Sequence, residues 1–268
     1  MVSVSCASAT LVVWTSAWLH GAAAADDVLD ALQAWADLHE VVADDDGTAT
    51  ALDLPGPDEA PVGPALLLAA LRRAGTTTGR LALPVPGDVR GLGGKGPLST
   101  CALRAGEAVV LPDTGVGLVP KIVADGVMRW TVFDLPSASG AEHVPIGEAE
   151  HGLASAMRQA ATALVTLDVA RHRPNVREEI AALSTKHSKL EWPAGMPPRA
   201  VRVLQRAAEV TAILEVAAGD SPGNAKSASA MQARDDALRP LSEAVRRARC
   251  AAVEEAVRVL SDQAAGLH

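Results

Sequence analysis

The chain is predicted to fold as an α+β N-terminal domain, with a mixed, largely antiparallel sheet and helices, followed by an all-α helical bundle. Three observations predict this. Short β-type runs divided by Asp/Gly turns crowd the first half, and every apolar pattern after residue 147 has helical period. The segment PSASGAEHVPIG, residues 136–147, separates the two regimes. The expected division is an acidic α+β domain over 1–140 and a bundle of about four helices over 147–268.

Residues 8–19 and 25–37 read as two short helices joined around Gly21, with Val28, Leu29, Leu32 and Trp35 on the core face of the second. The run HEVVADDDGTATALDL predicts two short strands in a hairpin around Asp46-Gly47. Residues 54–64, with four prolines, read as a loop, and PALLLAALRRAG reads as a helix ending at Gly75. A strand is predicted over Arg80–Val85, followed by GDVRGLGGKG and a helix that Pro97 starts and Gly106 ends. EAVVLP, VGLVPKIV and MRWTVFDLP, divided by turns at 113–115 and 124–126, predict an antiparallel meander.

In the second half, Leu153, Met157, Ala160, Leu164 and Leu167 follow the alternating four–three spacing of a packed helix. A second helix is expected over about 174–184, then a long connection over 184–198 in which Trp192 stands among prolines. A third helix over about 198–218 is expected to bury Val203, Leu204, Ala207, Val210, Leu214 and Ala217. The last helix, about 35 residues, carries a seam of Leu238, Leu241, Val245, Ala248 and Ala252, and Pro240 should kink or split it.

Composition narrows the function classes. The alphabet is rich in alanine, with no tyrosine, one phenylalanine, and five lysines against nineteen arginines, as in a GC-rich bacterial genome. The net charge of −8 is uneven: residues 1–145 hold 17 acidic and 8 basic side chains, and 146–268 hold 15 and 16. An acidic first half disfavours nucleic acid, whose phosphates need Lys and Arg. Arg199, Arg202, Arg206, Arg246, Arg247 and Arg249 are interspersed with glutamates and lack aromatics for base stacking, so solvated helix faces explain them. No stretch approaches the length of a membrane span. Residues 9–27 share an apolar stretch and a small-residue run with secretory leaders, but MVSVS has no positive charge and His20 interrupts the pattern. The spacing of Leu11, Trp14 and Trp18 favours a buried first helix instead. Cys6, Cys101 and Cys250 lie far apart without a C-x-x-C pair, which fits a reducing compartment and a cytoplasmic location.

The glycine stretch is the most suggestive motif. Gly91–Gly96 matches G-x-G-x-x-G and Asp113 follows about twenty residues on, yet five residues separate the loop from the preceding strand. The G-x-x-x-x-G-K-[ST] pattern fails because position 89 is Val and Gly96 follows the lysine. What survives is an anion-binding loop. Its candidate ligands are Arg90, Gly93, Gly94, Lys95, Gly96, Ser99 and Thr100 at a helix start, where free N–H groups and two cations could hold a phosphorylated small molecule. The bland alternative is a surface loop. Cys101, in the first turns of that helix, would be a nucleophile only with a base such as His39 or His143 beside it. Glu148-x-x-His151 has the spacing of a di-metal bundle site but lacks a second such pair.

No cofactor or metal is therefore expected. With no complete catalytic constellation, the leading expectation is a non-catalytic interaction or regulatory module that docks a protein partner or a second copy, with Trp192 as the partner-binding candidate. The alternative is an enzyme or sensor holding a small anionic ligand at residues 87–100.

Overall fold

A computed structural model describes residues 6–135, 143–166, 178–179, 182, 190–219 and 228–266. Two compact units emerge. One takes in the described residues up to 135 together with 191–197 and 253–266; the other takes in the described residues within 143–190 and 198–252.

The first unit is built on one five-stranded mixed sheet. Its elements in chain order are α1 (Ala7–Leu19), α2 (Ala25–Leu32), β1 (Leu38–Ala43), α3 (Asp46–Leu52), α4 (Pro64–Arg73), β2 (Arg80–Ala82), α5 (Pro97–Ala105), β3 (Ala108–Leu111), β4 (Val116–Ala124) and β5 (Val127–Asp134). The strand order is β1-β5-β4-β3-β2. Three successive antiparallel pairings join β2 to β3, β3 to β4 and β4 to β5, so the meander forms as expected. β1 then adds to β5 in parallel, a long-range pairing that no local turn announces.

The expected hairpin at Asp46-Gly47 does not form. Only its first run becomes a strand, β1; the second is helix α3. The side chain of Asp45 accepts from the Thr48 backbone N–H at 2.8 Å and from its hydroxyl at 3.1 Å, which caps the helix. A Cβ at Gly47 would meet Asp45 Oδ1 at 3.0 Å, so the glycine makes room for that cap instead of turning a hairpin. The strand predicted to Val85 is also shorter. β2 ends at Ala82, and Val85 and Asp88 close a tight turn through reciprocal backbone bonds.

Period-two alternation sends His39, Val41, Trp130, Val132 and Leu118 to one face, and Val110, Val119 and Phe133 to the other. α1 and α4 cover the first face, where Leu11, Val12 and Leu71 meet Val109, Leu111 and Leu118. α1 is buried almost all round, which is why its composition reads like a leader. On the second face α5 packs Leu98 and Ala102 into a cluster with Val110, Val119, Phe133 and Leu135. The approach is close: a Cβ at Gly117 would lie 2.5 Å from Leu98 Cδ2.

The edges are closed differently. Val41 exchanges backbone bonds with Val62, and Ala43 N–H donates to Pro55 O, so the proline-rich loop covers β1. The opposite edge, β2, is only three residues long.

The second unit is mostly helical. α6 (Ile146–Thr166), α7 (Pro198–Gly219) and the part of α8 (Ala228–Ala264) up to Ala252 supply most of its described residues. α8 runs continuously through Pro240. Leu153 and Ala160 on α6, Val203, Leu204, Ala207 and Val210 on α7, and Leu241, Val245, Ala248 and Ala252 on α8 are buried as expected, whereas Met157, Leu214, Ala217 and Leu238 are only half-buried. Arg249, itself buried, donates to Thr211 Oγ1 at 3.0 Å and so ties α8 to α7. Of the helix expected over 174–184 only residues 178, 179 and 182 are described, each of them helical, and most of the first half of the 184–198 connection lies outside the described residues.

Candidate functional site

The glycine stretch is partly built into the fold. Leu92 is buried in the core cluster with Leu98, and Val89 packs against it. Gly91, Gly93 and Gly94 hold positive φ, so backbone on both sides of Leu92 adopts a shape that favours glycine. Arg90 Nε and Nη2 donate to the Asp88 carboxylate at 2.9 and 3.1 Å. Gly96 caps α5, its N–H donating to Ser99 Oγ while that hydroxyl donates back to Gly96 O. Lys95 and Thr100 are exposed.

Asp113 lies elsewhere, in the β3–β4 turn. One of its oxygens accepts from the Thr77 hydroxyl and from the Thr78 hydroxyl and N–H. Burial raises its pKa, but these bonds outweigh that and hold it below the usual carboxylate value. The acid thus fastens a loop to a turn.

Cys101, on α5, packs over one face of the sheet and His39 projects from the other, so His39 does not serve this thiol as a base. Burial pushes the Cys101 thiol up, Asp44 adds to the effect, and Lys121 and Arg104 pull the other way. His39 is occupied otherwise. Its Nε2–H donates to Leu32 O at 2.8 Å, and its Nδ1 accepts from Trp130 Nε1–H at 3.0 Å. A carbonyl can only accept and an indole N–H can only donate, which assigns the neutral Nε2–H tautomer. Burial lowers its pKa, while backbone bonds to Leu32 and Ala36 act in the opposite sense. Sequence reasoning missed this pair because the two residues are 91 positions apart.

Trp192 is half-buried, in a strap, residues 191–197, that packs on the first unit with Pro193 and Met196 directed inward. Trp14 Nε1–H donates to Glu191 O at 3.2 Å, and Gln263 Nε2 donates to Gly195 O at 3.2 Å. In the second unit Glu150 receives two bonds from Arg199, and His151 is exposed. Arg206 and Arg247 pair with Glu209 and Glu243 on their own helices. Among the described residues no group of three or more metal-ligating side chains converges, and no helix is long and apolar enough to cross a membrane.

What stands out instead is one end of the sheet. Leu38, Ile122 and Val123 are 54, 56 and 38% exposed. Register sets them at one end of the sheet but on both faces: Ile122 shares a face with its partner Met128, whereas Leu38 shares the opposite face with Val127 and Ala124.

Together these features define a protein of two domains, a mixed-sheet α+β domain and a mostly helical one. The chain belongs to the Rv1486c-like family: the model of its N-terminal domain matches residues 8–144 and that of its C-terminal domain matches residues 147–250. Its relatives include uncharacterized protein Rv1486c of Mycobacterium tuberculosis, 42% identical over 282 residues, covering 92% of this chain and 96% of the relative. Uncharacterized protein ML1804 of Mycobacterium leprae is 36% identical and uncharacterized protein MAV321 of Mycobacterium avium 34%, each with the same coverage. No solved structure matches the chain.

Proposed function

We propose that this protein is a non-catalytic interaction module acting in the cytoplasm, and that the end of the sheet formed by Leu38, Ile122 and Val123 is its contact surface. The observation that carries the reading is the exposure of these aliphatic side chains at one end of the sheet, at the β4–β5 turn and the adjoining start of β1. Burying such side chains contributes roughly 25 cal/mol per Å² of apolar surface removed from water, a driving force that only association releases. The charged neighbours Lys121 and Asp125 supply the polar rim that gives a contact its specificity.

The test is a photo-crosslinking residue placed in the full chain at Ile122 or Leu38, with exposed Ala74 as the control position. Defined protein adducts from the first two positions, above the yield at Ala74, are expected. Equal yields at all three positions overturn the proposal.

A second reading keeps a phosphorylated small molecule at the start of α5. It is supported by Lys95, which is exposed, is in no ion pair among the described residues and lies two positions before Pro97 at the first turn of the helix. Arg90 serves it less well, being engaged with Asp88.

A further inference from the structure

We infer that the strap 191–197 and the last turns of α8 clasp the protein into one cooperative fold, so that its two units unfold together rather than independently.

The clasp follows from where the units divide. The change of pattern at 136–147 parts the chain into two halves by sequence, yet residues 191–197 and 253–266 belong to the first unit. Neither crossing back is a flexible linker of the kind that parts independent domains. α8 passes from one unit to the other between Ala252 and Val253, both buried, inside a helix unbroken from Ala228 to Ala264. The strap leaves the first unit at Pro197, and Pro198 opens α7 directly. Two successive prolines, each with its φ fixed by the ring, make that joint stiff.

The first unit depends on what returns to it. Pro193 and Met196 of the strap are buried, as are Val253, Ala256, Val257 and Leu260 of α8, which share one helix face. The strap is fastened on two sides. Trp14 of α1 donates to Glu191 O at 3.2 Å, and Gln263 of α8 donates to Gly195 O at 3.2 Å. Gly195 has φ +88°, so a residue that favours positive φ turns the strap there. The piece of α8 beyond Ala252 is of the length at which isolated helices are marginal in water. It is helical because the helix before it, in the second unit, has already formed and because its apolar face is buried. Loss of the second unit removes the first of these supports and releases the strap at the same time. Anything that stabilises one unit accordingly stabilises the other.

The distribution of tryptophan makes this measurable. Trp14, Trp18, Trp35, Trp130 and Trp192 all lie in the first unit, whereas α6, α7 and most of α8 lie in the second. Equilibrium urea unfolding of the full chain is followed in parallel by tryptophan fluorescence and by helical circular dichroism. Coincident transitions are expected. Val210→Ala and Val203→Ala each empty a buried position on α7, in the second unit, and should lower the fluorescence and dichroism midpoints by the same amount. Separate transitions in the wild type, or α7 variants that lower the dichroism midpoint and leave the fluorescence midpoint in place, would overturn the inference.

Discussion

Replacing His39 by glutamine separates the two roles assigned to this ring. In the folded protein the neutral imidazole donates to Leu32 O and accepts from the buried Trp130 N–H, so it links the end of α2 to the middle of β5. Protonating Nδ1 would set one donor against another at 3.0 Å in a buried site. The folded-state pKa is therefore below the unfolded value of 6.5, in the direction that burial dictates. In the window below 6.5 the unfolded chain takes up the proton first. This contribution to stability is complete above pH 6.5 and is lost as pH falls from there toward the folded-state pKa, with a slope of up to about 1.4 kcal/mol per pH unit. Glutamine can make both hydrogen bonds but does not titrate. His39→Gln should cost about 1–3 kcal/mol at pH 7.5 through imperfect geometry, and its stability should fall less steeply between pH 6.5 and 5. Urea unfolding followed by tryptophan fluorescence at several pH values measures both quantities. The carboxylates that also titrate in acid are common to the two proteins and cancel in the comparison. Identical pH slopes for wild type and His39→Gln would refute the assignment of a neutral, doubly engaged ring.

Four further outcomes are expected. Gly117→Ala forces a methyl group against Leu98 and should destabilise the first unit by about 1–3 kcal/mol, read as a lower urea midpoint. Glu107→Ala removes the buried carboxylate that accepts from the Ser8 N–H at 2.7 Å at the start of α1, and should cost about 1–3 kcal/mol in the same assay. A chain that begins at Asp26 loses buried Leu11, Val12, Val13 and Trp18, each worth about 1.5–3 kcal/mol of burial. Their sum approaches the whole stability of a domain, so this chain should show no cooperative unfolding transition. A phosphorylated ligand held at α5 and present at a hundred times its Kd would raise stability by about 2.7 kcal/mol. A thermal shift across a panel of sugar phosphates and nucleotides, abolished by Lys95→Ala, would support that second reading, and no shift with any of them would remove it.

Much of the first unit was legible before any coordinates. The meander followed from turn residues between alternating runs, and α5 from Pro97 and Gly106. α3 was misread because Asp-Gly signals a hairpin turn and a helix start equally well; the carboxylate of Asp45 on the Thr48 N–H decided between them. Of the loop candidates, Lys95 and Thr100 are exposed, while Arg90 and Ser99 are engaged within the loop, and composition carries no sign of which cation finds a local carboxylate. The exposed end of the sheet was illegible for a different reason. Ile122 and Val123 lie in a run that looks like any buried strand, and only the shortness of β3 leaves them uncovered.

Apart from α3, the sequence by itself determined which of the described segments of the first unit are helical or extended, how they are punctuated, and where the sheet-rich part of the chain passes into the helical part. Those properties depend on spacings of two to four residues and on the conformational limits of Gly, Pro and Asp. Tertiary structure alone decided that β1 joins β5 in parallel, that Glu107 caps a helix 99 residues away, that Trp130 holds His39 neutral, and that Trp14 anchors a strap 177 residues further along. Each of these joins groups that local preferences cannot relate, because what pairs them is the requirement that buried polar atoms find partners once the sheet and its helices have closed.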